Sequence, residues 1–540
     1  MNKRRGPHMT RHPEGPNPVA VRTKRHACAV CGLVVGLACL LCTAAAGARP
    51  PHDAALPEAV EGVPALPARL TLQECFLRAL AANKDIRVAQ LRTESSEAGI
   101  MQAEGEFDVN LFAEAGVGRS DTPVAGVPVT RTETSDADVS MGLRRRMVTG
   151  TELELRASSR YMRDRTHTSV LNPQYSPGVT LGISQDLLKD GGVGINRTQV
   201  TIARNNLLVT EEGFRDTAMR TLLEVEEAYW DLTYALADLE VRRKERDSAD
   251  RLVKRAEGRH RAGDVALIEV TRAKARAASR SVDIVSAENR VSQTRNRLLQ
   301  LMGVLDGASE SAEFELVDAP PDVGFRTTLA DALAVAAQER PDYRQANLAI
   351  ANADLTERHA ENQRLPTLQA FGEYSLAGLG DDLSDGTGDI RDGRYGSWRA
   401  GLRVEWPFPN RSARARHRIA VIQRRIALVQ QADVLEQITR EIADALESLR
   451  AAEARITRAV EARELAEQLL KAEERSFDLG LSDALDLLSA QQDLAAAERD
   501  EIGARTDYAS ALAALYRAQG DLLQRKGVAL IAREPAAASE

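Results

Sequence analysis

The sequence predicts a mainly α-helical protein with a β-barrel part, in which long helical hairpins adjoin about four transmembrane strands per protomer. Three observations predict this fold class. Two segments of roughly 65 residues carry an apolar stripe at helical spacing, and strand-like segments of about ten residues alternate apolar with polar side chains. In addition, the second half of the chain repeats the plan of the first half.

The N-terminus is predicted to be a secretory signal peptide, residues 1–48, that is removed on export. A basic segment that starts at Met1 or Met9 precedes an apolar run from Ala27 to Leu41, and small residues then offer a cleavage site. This run is shorter than the ~20 apolar residues of a spanning helix, so an uncleaved anchor is the less favoured alternative. All the cysteines except Cys75 lie in this segment, so no internal disulfide is expected.

The formal net charge of the chain is −8, and it becomes more negative once the basic leader is removed. Nucleic-acid binding relies on lysine and arginine side chains that neutralise phosphates. An acidic exported chain is therefore a poor candidate for a nucleic-acid partner.

Two stretches of similar sequence indicate that the chain is duplicated. Residues 71–97 and residues 328–354 both begin Thr-Leu, run as an amphipathic helix, break near Asn83 or Pro341, and then resume as helix. The predicted organisation has an N-terminal extended segment (49–70), a first repeat (71–303), a linker (304–327), a second repeat (328–525) and a C-terminal tail (526–540). In the first repeat, strands are predicted at about 107–187 and a helical hairpin at about 197–302. In the second repeat, strands are predicted at about 367–408 and a helical hairpin at about 411–523.

Each half contains one helix far longer than the helices of ordinary globular proteins. These helices are predicted at about 197–262 and 411–479, and at 1.5 Å per residue each would be about 100 Å long. Their apolar residues recur every three or four positions, close to a heptad pattern. The two stripes comprise Phe214, Ala218, Leu222, Val225, Tyr229, Leu232, Leu236 and Leu239, and Ile422, Ile426, Val429, Leu435, Ile438, Ile442, Leu449 and Ile456. Each stripe must be buried on neighbouring helices. Shorter return arms are predicted at about 264–302 and 481–523.

Between the helices the apolar residues alternate with a period of two, in segments 107–117, 179–183, 368–376 and 398–408. Such strands could form a soluble sandwich, or a transmembrane barrel with its apolar face toward lipid. An aromatic girdle favours the barrel, with Trp398 and Trp406 near opposite strand ends and Tyr374 and Phe408 close by. Since open sheet edges are not tolerated in lipid, several protomers must pool their strands.

The duplicated Thr-Leu helices, the alternating strands and the two glycine-turned hairpins together resemble the TolC family of outer-membrane efflux proteins. The resemblance covers about 65–525 and is most specific between Phe477 and Gly520. It implies a homotrimer in which four strands per protomer close a twelve-stranded barrel that continues as a periplasmic helical tunnel. It also implies an outer-membrane exit duct of a tripartite efflux pump or type I secretion system, docked on a periplasmic adaptor and an inner-membrane pump.

One hairpin departs from the family plan. Residues 137–161 show a further pair of alternating segments around a turn at Thr149-Gly150, and the second half has no equivalent. This hairpin could enlarge the barrel, lengthen strands above the membrane or form a separate flap.

The resemblance also implies a periplasmic aperture. Family members close that end with a ring of acidic side chains just past the second hairpin turn, and Asp486, six residues after Gly480, matches that position. Glu269 is its counterpart in the first half, while Ser489 stands where the family often has a second Asp. Converging carboxylates would attract cations, and the alternative for Asp486 is an ordinary solvated helix charge.

The hairpin tips are the expected docking site for the adaptor. Gly263 and Gly480 are expected to form turns that need a positive φ. The family docks its adaptor at these tips, which here are flanked by Arg259, Arg261, Asp264, Arg475, Asp478 and Ser482. Plain turn chemistry would explain the two glycines equally well.

The sequence shows no catalytic or cofactor-binding pattern in a suitable context. The acidic, Gly-rich segment 381–393 lacks the regular ligand spacing of a calcium loop, so a mobile extracellular loop is expected there. No enzyme activity, cofactor or metal is expected. The main alternative function is a soluble periplasmic coiled-coil adaptor or structural protein.

Overall fold

The computed structural model describes residues 67–124, 130–165, 170–263, 265–304, 314–479, 481–482 and 484–529. Within these residues the chain divides into two compact units. The sheet unit consists of Phe107–Leu187 and Thr367–Val404, and the helical unit contains the remaining described residues. The predicted signal peptide (1–48) and most of the predicted N-terminal segment and C-terminal tail lie outside the described residues, as does part of the linker.

In chain order the elements are β1 (Arg69–Leu70), α1 (Leu72–Ala82), α2 (Lys84–Glu104), β2 (Val109–Val124), β3 (Thr130–Arg146), β4 (Thr151–Asp164), β5 (Gln174–Asp186), α3 (Val193–Asn196), α4 (Thr198–Arg261), α5 (Leu267–Leu301), β6 (Glu315–Leu316), α6 (Leu329–Glu339), α7 (Pro341–Asn362), β7 (Thr367–Ala377), α8 (Leu383–Arg391), β8 (Gly396–Glu405), α9 (Arg411–Asp478), α10 (Ala484–Gln519) and α11 (Leu522–Arg525). The two long helices predicted from the apolar stripes are confirmed as α4 and α9. None of the described helices has the length and apolar character needed to cross a membrane.

Local sequence explains where the shorter helices begin and break. The side chain of Glu74 accepts a hydrogen bond from the backbone N–H of Thr71 at 2.9 Å, which completes a capping box at the start of α1. Asn83 ends α1 and caps α2 with its side chain, which accepts a hydrogen bond from the backbone N–H of Asp85 at 2.8 Å. Pro341 is the first residue of α7, where its missing N–H costs nothing. Both predicted helix breaks are therefore confirmed.

The first hydrophobic core surrounds the middle of α4. Every residue of the predicted α4 stripe is buried or partly buried, and α1 and α5 pack against it. The hydroxyl of Tyr229 accepts a hydrogen bond from the backbone N–H of Asp318 at 3.1 Å, and Cys75 belongs to the same core. From α11, Leu522 and Leu523 complete this core.

The second core lies along α9 and α10, and only part of the predicted α9 stripe contributes to it. Its downstream residues are buried there, namely Ile438, Ile442, Leu449 and Ile456. Its upstream residues are exposed, namely Ile422, Ile426, Val429 and Leu435. In that region α9 instead buries the face that carries Ala420 and Ala427, beside Arg424 and Gln431, which bond to α7. Within one protomer, therefore, the upstream part of the predicted stripe is left uncovered.

The sheet unit is one six-stranded sheet in the order β2-β3-β4-β5-β7-β8. The first four neighbouring pairs are antiparallel by register. The last pair is antiparallel too, because Ser375 meets Ser397 and Glu373 meets Arg399. The extra hairpin noted at 137–161 forms β3 and β4, so the sheet has six strands where the resemblance implied four.

Two further expectations about the sheet unit need correction. The strand predicted at 398–408 ends at Glu405, because Pro407 and Pro409 have no N–H to donate to a ladder. The segment predicted as a mobile loop contains the helix α8, which starts where the side chain of Asp382 accepts a hydrogen bond from the backbone N–H of Asp385 at 2.9 Å.

Candidate functional site: the tips of the two helical hairpins

The first tip connects α4 to α5. After the last residue of α4, Gly263 adopts a φ of +86°, the left-handed conformation expected for this turn, and its N–H donates to the carbonyl of His260 at 3.0 Å. Arg259 and Arg261 are exposed in the last turn of α4, where positive charge interacts favourably with the helix dipole. The predicted docking residue Asp264 lies outside the described residues.

The second tip connects α9 to α10. Arg475 is exposed in the last turn of α9, and its carbonyl accepts a hydrogen bond from the backbone N–H of Leu479 at 3.1 Å. The Ser482 hydroxyl donates to Glu473 Oε2 at 2.8 Å, which ties the turn back to α9. Gly480 and the side chain of Asp478 fall outside what the structure describes. The predicted docking residues that can be located therefore lie at the hairpin turns.

Asp486 lies in the first turn of α10 with an exposed side chain. Its Oδ2 is 3.4 Å from the hydroxyl of Ser482. The next two residues, Leu487 and Leu488, are buried. The two leucines are therefore buried, whereas the Asp486 carboxylate lies on the surface, at a helix N-terminus that favours negative charge.

Glu269 occupies the matching place in the first turn of α5, and its neighbour Val270 is buried as Leu487 is in the second hairpin. Glu269 Oε1 lies 2.7 Å from the guanidinium of Arg272 on the same helix, so a positive charge accompanies it.

Exposed apolar residues at both tips were missed by the sequence analysis. At the first tip, Leu267 and Ile268 are 64% and 54% exposed. At the second tip, Leu479 and Leu481 are 74% and 80% exposed. Exposed apolar residues can mark a protein-interaction surface. The signal was present in the sequence, since these apolar residues lie within five positions of the turn glycine at each tip.

A charge cluster ties the two hairpins together further along the helices. Asp238 and Glu245 of α4 are both largely buried, and Arg499 of α10 lies 3.7 Å from the first and 3.2 Å from the second. Arg242 pairs with Asp238 at 2.8 Å, and Arg280 of α5 lies 3.6 Å from Glu245. Within this cluster, Arg499 is therefore the cation that links the second hairpin to the first.

Nearer the first tip, a surface ion pair holds α4 against α5. Lys274 Nζ lies 2.7 Å from Glu257 Oε1, and the hydrogen bond from this lysine lowers the pKa of the Glu257 carboxyl. Both side chains are exposed, so this pair contributes little to stability.

The predicted girdle residues fall into two groups. Tyr374 in β7 and Trp398 in β8 are exposed on the sheet. Trp406 and Phe408 follow the end of β8, and their ring centroids lie 6.2 Å apart in an edge-to-face arrangement. All four rings are at least half exposed, as side chains that contact lipid would be.

Among the described residues, one acidic cluster has the spacing of a possible cation site. Ligand oxygens of Asp381, Asp382 and Asp385 lie within 4.8 Å of one another at the start of α8, and all three residues are exposed. The side chain of Asp382 already accepts the capping hydrogen bond of that helix. We assign no metal to this cluster.

Comparison with known families gives a match over most of the chain. The model of the outer membrane efflux protein family matches residues 151–304 and 332–521. The first match begins at the first residue of β4, whereas the second begins within α6 and continues to the end of α10.

Two curated relatives and several solved structures are similar to the chain. The probable efflux pump outer membrane protein TtgC and the antibiotic efflux pump outer membrane protein ArpC, both of Pseudomonas putida, are each 25% identical over 364 residues, which is 66% of this chain and 71% of theirs. The CmeC outer membrane channel of Campylobacter jejuni has a TM-score of 0.63 at 16% identity and covers 84% of this chain and 86% of its own. The VceC outer membrane protein of Vibrio cholerae has a TM-score of 0.60 at 20% identity, with coverage of 83% and 96%.

Proposed function

Since the chain belongs to the outer membrane efflux protein family, we propose that it is the passive exit duct of a tripartite efflux pump or a type I secretion system. It is an outer-membrane protein with a periplasmic helical part, and it conducts substrates outward without a catalytic step of its own. The alternative of a soluble periplasmic adaptor has no support, because the curated relatives are themselves outer membrane proteins.

The exposed apolar face of the sheet carries this proposal. In β8, Trp398, Leu402 and Val404 are 78%, 67% and 68% exposed on one face, while arginines alternate with them on the other. A soluble sandwich would cover such a face with a second sheet, and the described residues of the sheet unit form a single sheet. A barrel wall in a bilayer instead turns this face toward lipid.

The partner that completes the duct is proposed to be further copies of the same chain, in a homotrimer. On α9, Ile419, Ile422, Ile426 and Val429 are spaced by three and four residues and are 46–70% exposed in the single protomer. A stripe with this spacing is suited to pack on another helix. A neighbouring copy would bury it, and the same assembly would pair the open sheet edges.

The hairpin tips are proposed to dock on a periplasmic adaptor, which connects the duct to an inner-membrane pump. The tips combine exposed apolar residues, such as Leu479 and Leu481, with exposed arginines, such as Arg259 and Arg475. An apolar centre with a charged rim is the usual composition of a protein interface. The cargo is selected by the pump and adaptor, so the duct needs no substrate site, cofactor or nucleic-acid contact.

Asp486 is proposed to line the periplasmic aperture. Three copies of this carboxylate around a common axis would attract cations and repel anions. The exposed position of Asp486 at the start of α10 supports this role. Glu269 is the proposed counterpart in the first hairpin, where Arg272 accompanies its charge.

Planar-bilayer conductance of the purified protein tests the function and the aperture together. We expect cation-selective pores that a trivalent cation blocks. Asp486→Asn keeps the side-chain shape and removes the charge, so it should lower cation selectivity several-fold and abolish the block. Glu269→Gln removes the counterpart charge of the first hairpin and tests whether it contributes to the same aperture.

Other outcomes would test the duct and the role of Asp486 separately. Pores whose selectivity and block ignore Asp486→Asn would retain the duct and remove Asp486 from the aperture. A protein that forms no pores and is recovered from the periplasm rather than from outer-membrane fractions would refute the duct itself.

A further inference from the structure

We infer that the hairpin of β3 and β4 is part of the transmembrane wall, so that three protomers close an eighteen-stranded barrel instead of a twelve-stranded one. This inference rests on the proposed function for the membrane setting and the trimer. Beyond that function, it assigns β3 and β4 to the barrel wall and gives the width of the barrel that results.

The register places the hairpin inside the sheet. β3 pairs with β2 from Val109↔Arg145 to Val124↔Thr130, over the whole length of β2. β4 pairs with β5 from Thr151↔Gln185 to Met162↔Gln174. Because β2 and β5 do not touch, removal of the hairpin from the wall would break both ladders along their full length. A flap attached to a complete four-stranded wall would leave such a ladder intact.

The apolar face runs through the hairpin without interruption. The strand register places one apolar side chain from each of β2, β3, β4, β5 and β7 in a single row across the sheet. These side chains are 44–61% exposed and belong to Leu111, Leu143, Leu155, Leu181 and Tyr374. The neighbouring row contains Ala113, Met141, Ala157, Val179 and Leu376. Strands above the membrane or in a soluble flap would face water, and a continuous exposed apolar face is not expected there. The two hairpin strands therefore have the surface that lipid contact requires.

The opposite face of the hairpin is polar and is tied to β2. The ring of Phe112 lies over Gly142, where a Cβ atom would come within 2.6 Å of the ring. The guanidinium groups of Arg144 and Arg156 lie 5.5 and 5.2 Å from the centre of this ring. Arg144 also pairs with Glu154 at 2.8 Å, which joins β3 to β4. These charges are suited to a water-filled lumen.

The last two strands repeat this arrangement. The ring of Phe371 in β7 lies over Gly401 in β8, where a Cβ atom would be 2.9 Å from the ring. Arg403 lies 5.4 Å from the centre of that ring, and Arg399 pairs with Glu373 at 2.9 Å. The hairpin is therefore joined to β2 by the same contacts that join β7 to β8, a pair that the resemblance already assigns to the wall.

The two edges of the sheet fit a ring of identical copies. β2 and β8 each have a strand neighbour on one side only within the described sheet. Because the sheet has six strands in alternating directions, its edge strands β2 and β8 run in opposite directions, so β8 of one copy can pair antiparallel with β2 of the next. Two different edges that meet in this way give a closed ring of copies, and lipid requires the ring to close.

The consequence is a wider mouth. Barrel diameter grows roughly linearly with strand number, so the wall would be roughly 1.5 times as wide as a twelve-stranded wall. Barrels of 16–18 strands leave an aqueous channel rather than a packed interior. The membrane part of this duct would then admit bulkier cargo than the twelve-stranded barrel that the resemblance implies.

A pair of cysteines across β4 and β5 tests the place of the hairpin in the membrane-embedded protein. Ala157 and Val179 are register partners on the outer face, and such neighbours have Cβ atoms about 4.5–5.5 Å apart. In outer-membrane preparations, Ala157→Cys with Val179→Cys should cross-link nearly completely with an oxidant or a short thiol reagent. Ser158→Cys with Val179→Cys, on opposite faces, is the control and should stay at background.

Electron cryo-microscopy of the same protein in nanodiscs counts the strands. An eighteen-stranded trimeric barrel, with cross-linking of the first pair, supports the inference. A twelve-stranded trimeric barrel with β3 and β4 outside the wall, and no cross-link, overturns the inference while leaving the proposed function intact. A protein without any membrane-embedded barrel would contradict the proposed function instead.

Discussion

Cys75 and Tyr229 are two ionisable residues buried in the core around α4. Burial is the main cause that raises the pKa of the Cys75 thiol from 9.0 to about 12 and that of the Tyr229 hydroxyl from 10.0 to about 12. The folded state therefore holds protons that the unfolded chain releases at lower pH. The stability linked to these groups is complete below pH 9 and is lost as the pH rises toward 12.

Replacement of Cys75 should reduce this alkaline sensitivity. One such group changes the free energy of unfolding by about 1.4 kcal/mol per pH unit between its two pKa values. We expect the wild type to lose stability between pH 9 and pH 12, and Cys75→Ala to lose less over the same interval. Chemical unfolding at a series of pH values measures the difference, and Cys75→Ala/Tyr229→Phe should be the least sensitive variant. Parallel curves for the wild type and both variants would contradict the burial argument.

Single residues also show what the sequence could specify at this scale. The turn at Gly263 could be predicted from the residue type, because few residues other than glycine tolerate its positive φ. The lone Cys75 followed from the position of the other cysteines. The pairing of Glu269 with Arg272 was not predicted, because a spacing of three on a helix permits a contact without fixing the rotamers. The roles of Asp486 and the other tip residues stay predictions.

Among the elements, the helices were predicted well and the sheet less well. A stripe that persists over many turns determines a helix such as α4 or α9 almost uniquely, and capping residues such as Asn83 mark the breaks. Alternation over about ten residues is a weaker signal, and the family plan suggested four strands. The register that inserts β3 and β4 between β2 and β5 depends on contacts between strands, which periodicity within one segment does not contain.

The link between the two helical hairpins should depend on Arg499. Loss of this side chain leaves Asp238 and Glu245 with less compensating charge in a largely buried site, which typically costs about 3 kcal/mol. We expect Arg499→Ala to let the hairpins separate more readily and to raise the mean conductance of the resting pore several-fold. Planar-bilayer recordings measure this change.

Arg450→Ala is the matched control for that experiment. Arg450 forms an exposed pair with Glu447 on the same helix, and such pairs contribute less than about 1 kcal/mol. It should leave the conductance unchanged. Equal conductance of both variants and the wild type would show that the charge cluster does not hold the resting pore.

On the scale of the whole molecule, the two predicted repeats do not coincide with the two compact units. Each repeat contributes strands to the sheet unit and helices to the helical unit. Sequence similarity detects the repeats because they share ancestry and order. It does not reveal that strands from both halves join one sheet, since the β5–β7 pairing joins residues nearly two hundred positions apart.

Assembly of the protomers should depend on the exposed stripe of α9. A charge placed in this stripe would be desolvated in the trimer and solvated in the monomer, so Ile426→Asp should destabilise the assembly by several kcal/mol. Native electrophoresis or light scattering in detergent should show trimer for the wild type and loss of trimer for this variant. Arg425→Asp changes the charge one residue away, off the stripe, and should remain trimeric. Trimers of equal stability for both variants would place the interface elsewhere.

The same exposed stripe has a consequence for biogenesis. A newly exported protomer carries a hydrophobic seam on α9, from Ile419 to Val429, that its own fold does not cover. In dilute periplasm this surface would recruit holdase chaperones or aggregate before it met the two other copies of the proposed trimer. If that trimer forms, folding is coupled to the encounter of subunits, and the yield of mature ducts should rise more steeply than the rate of synthesis.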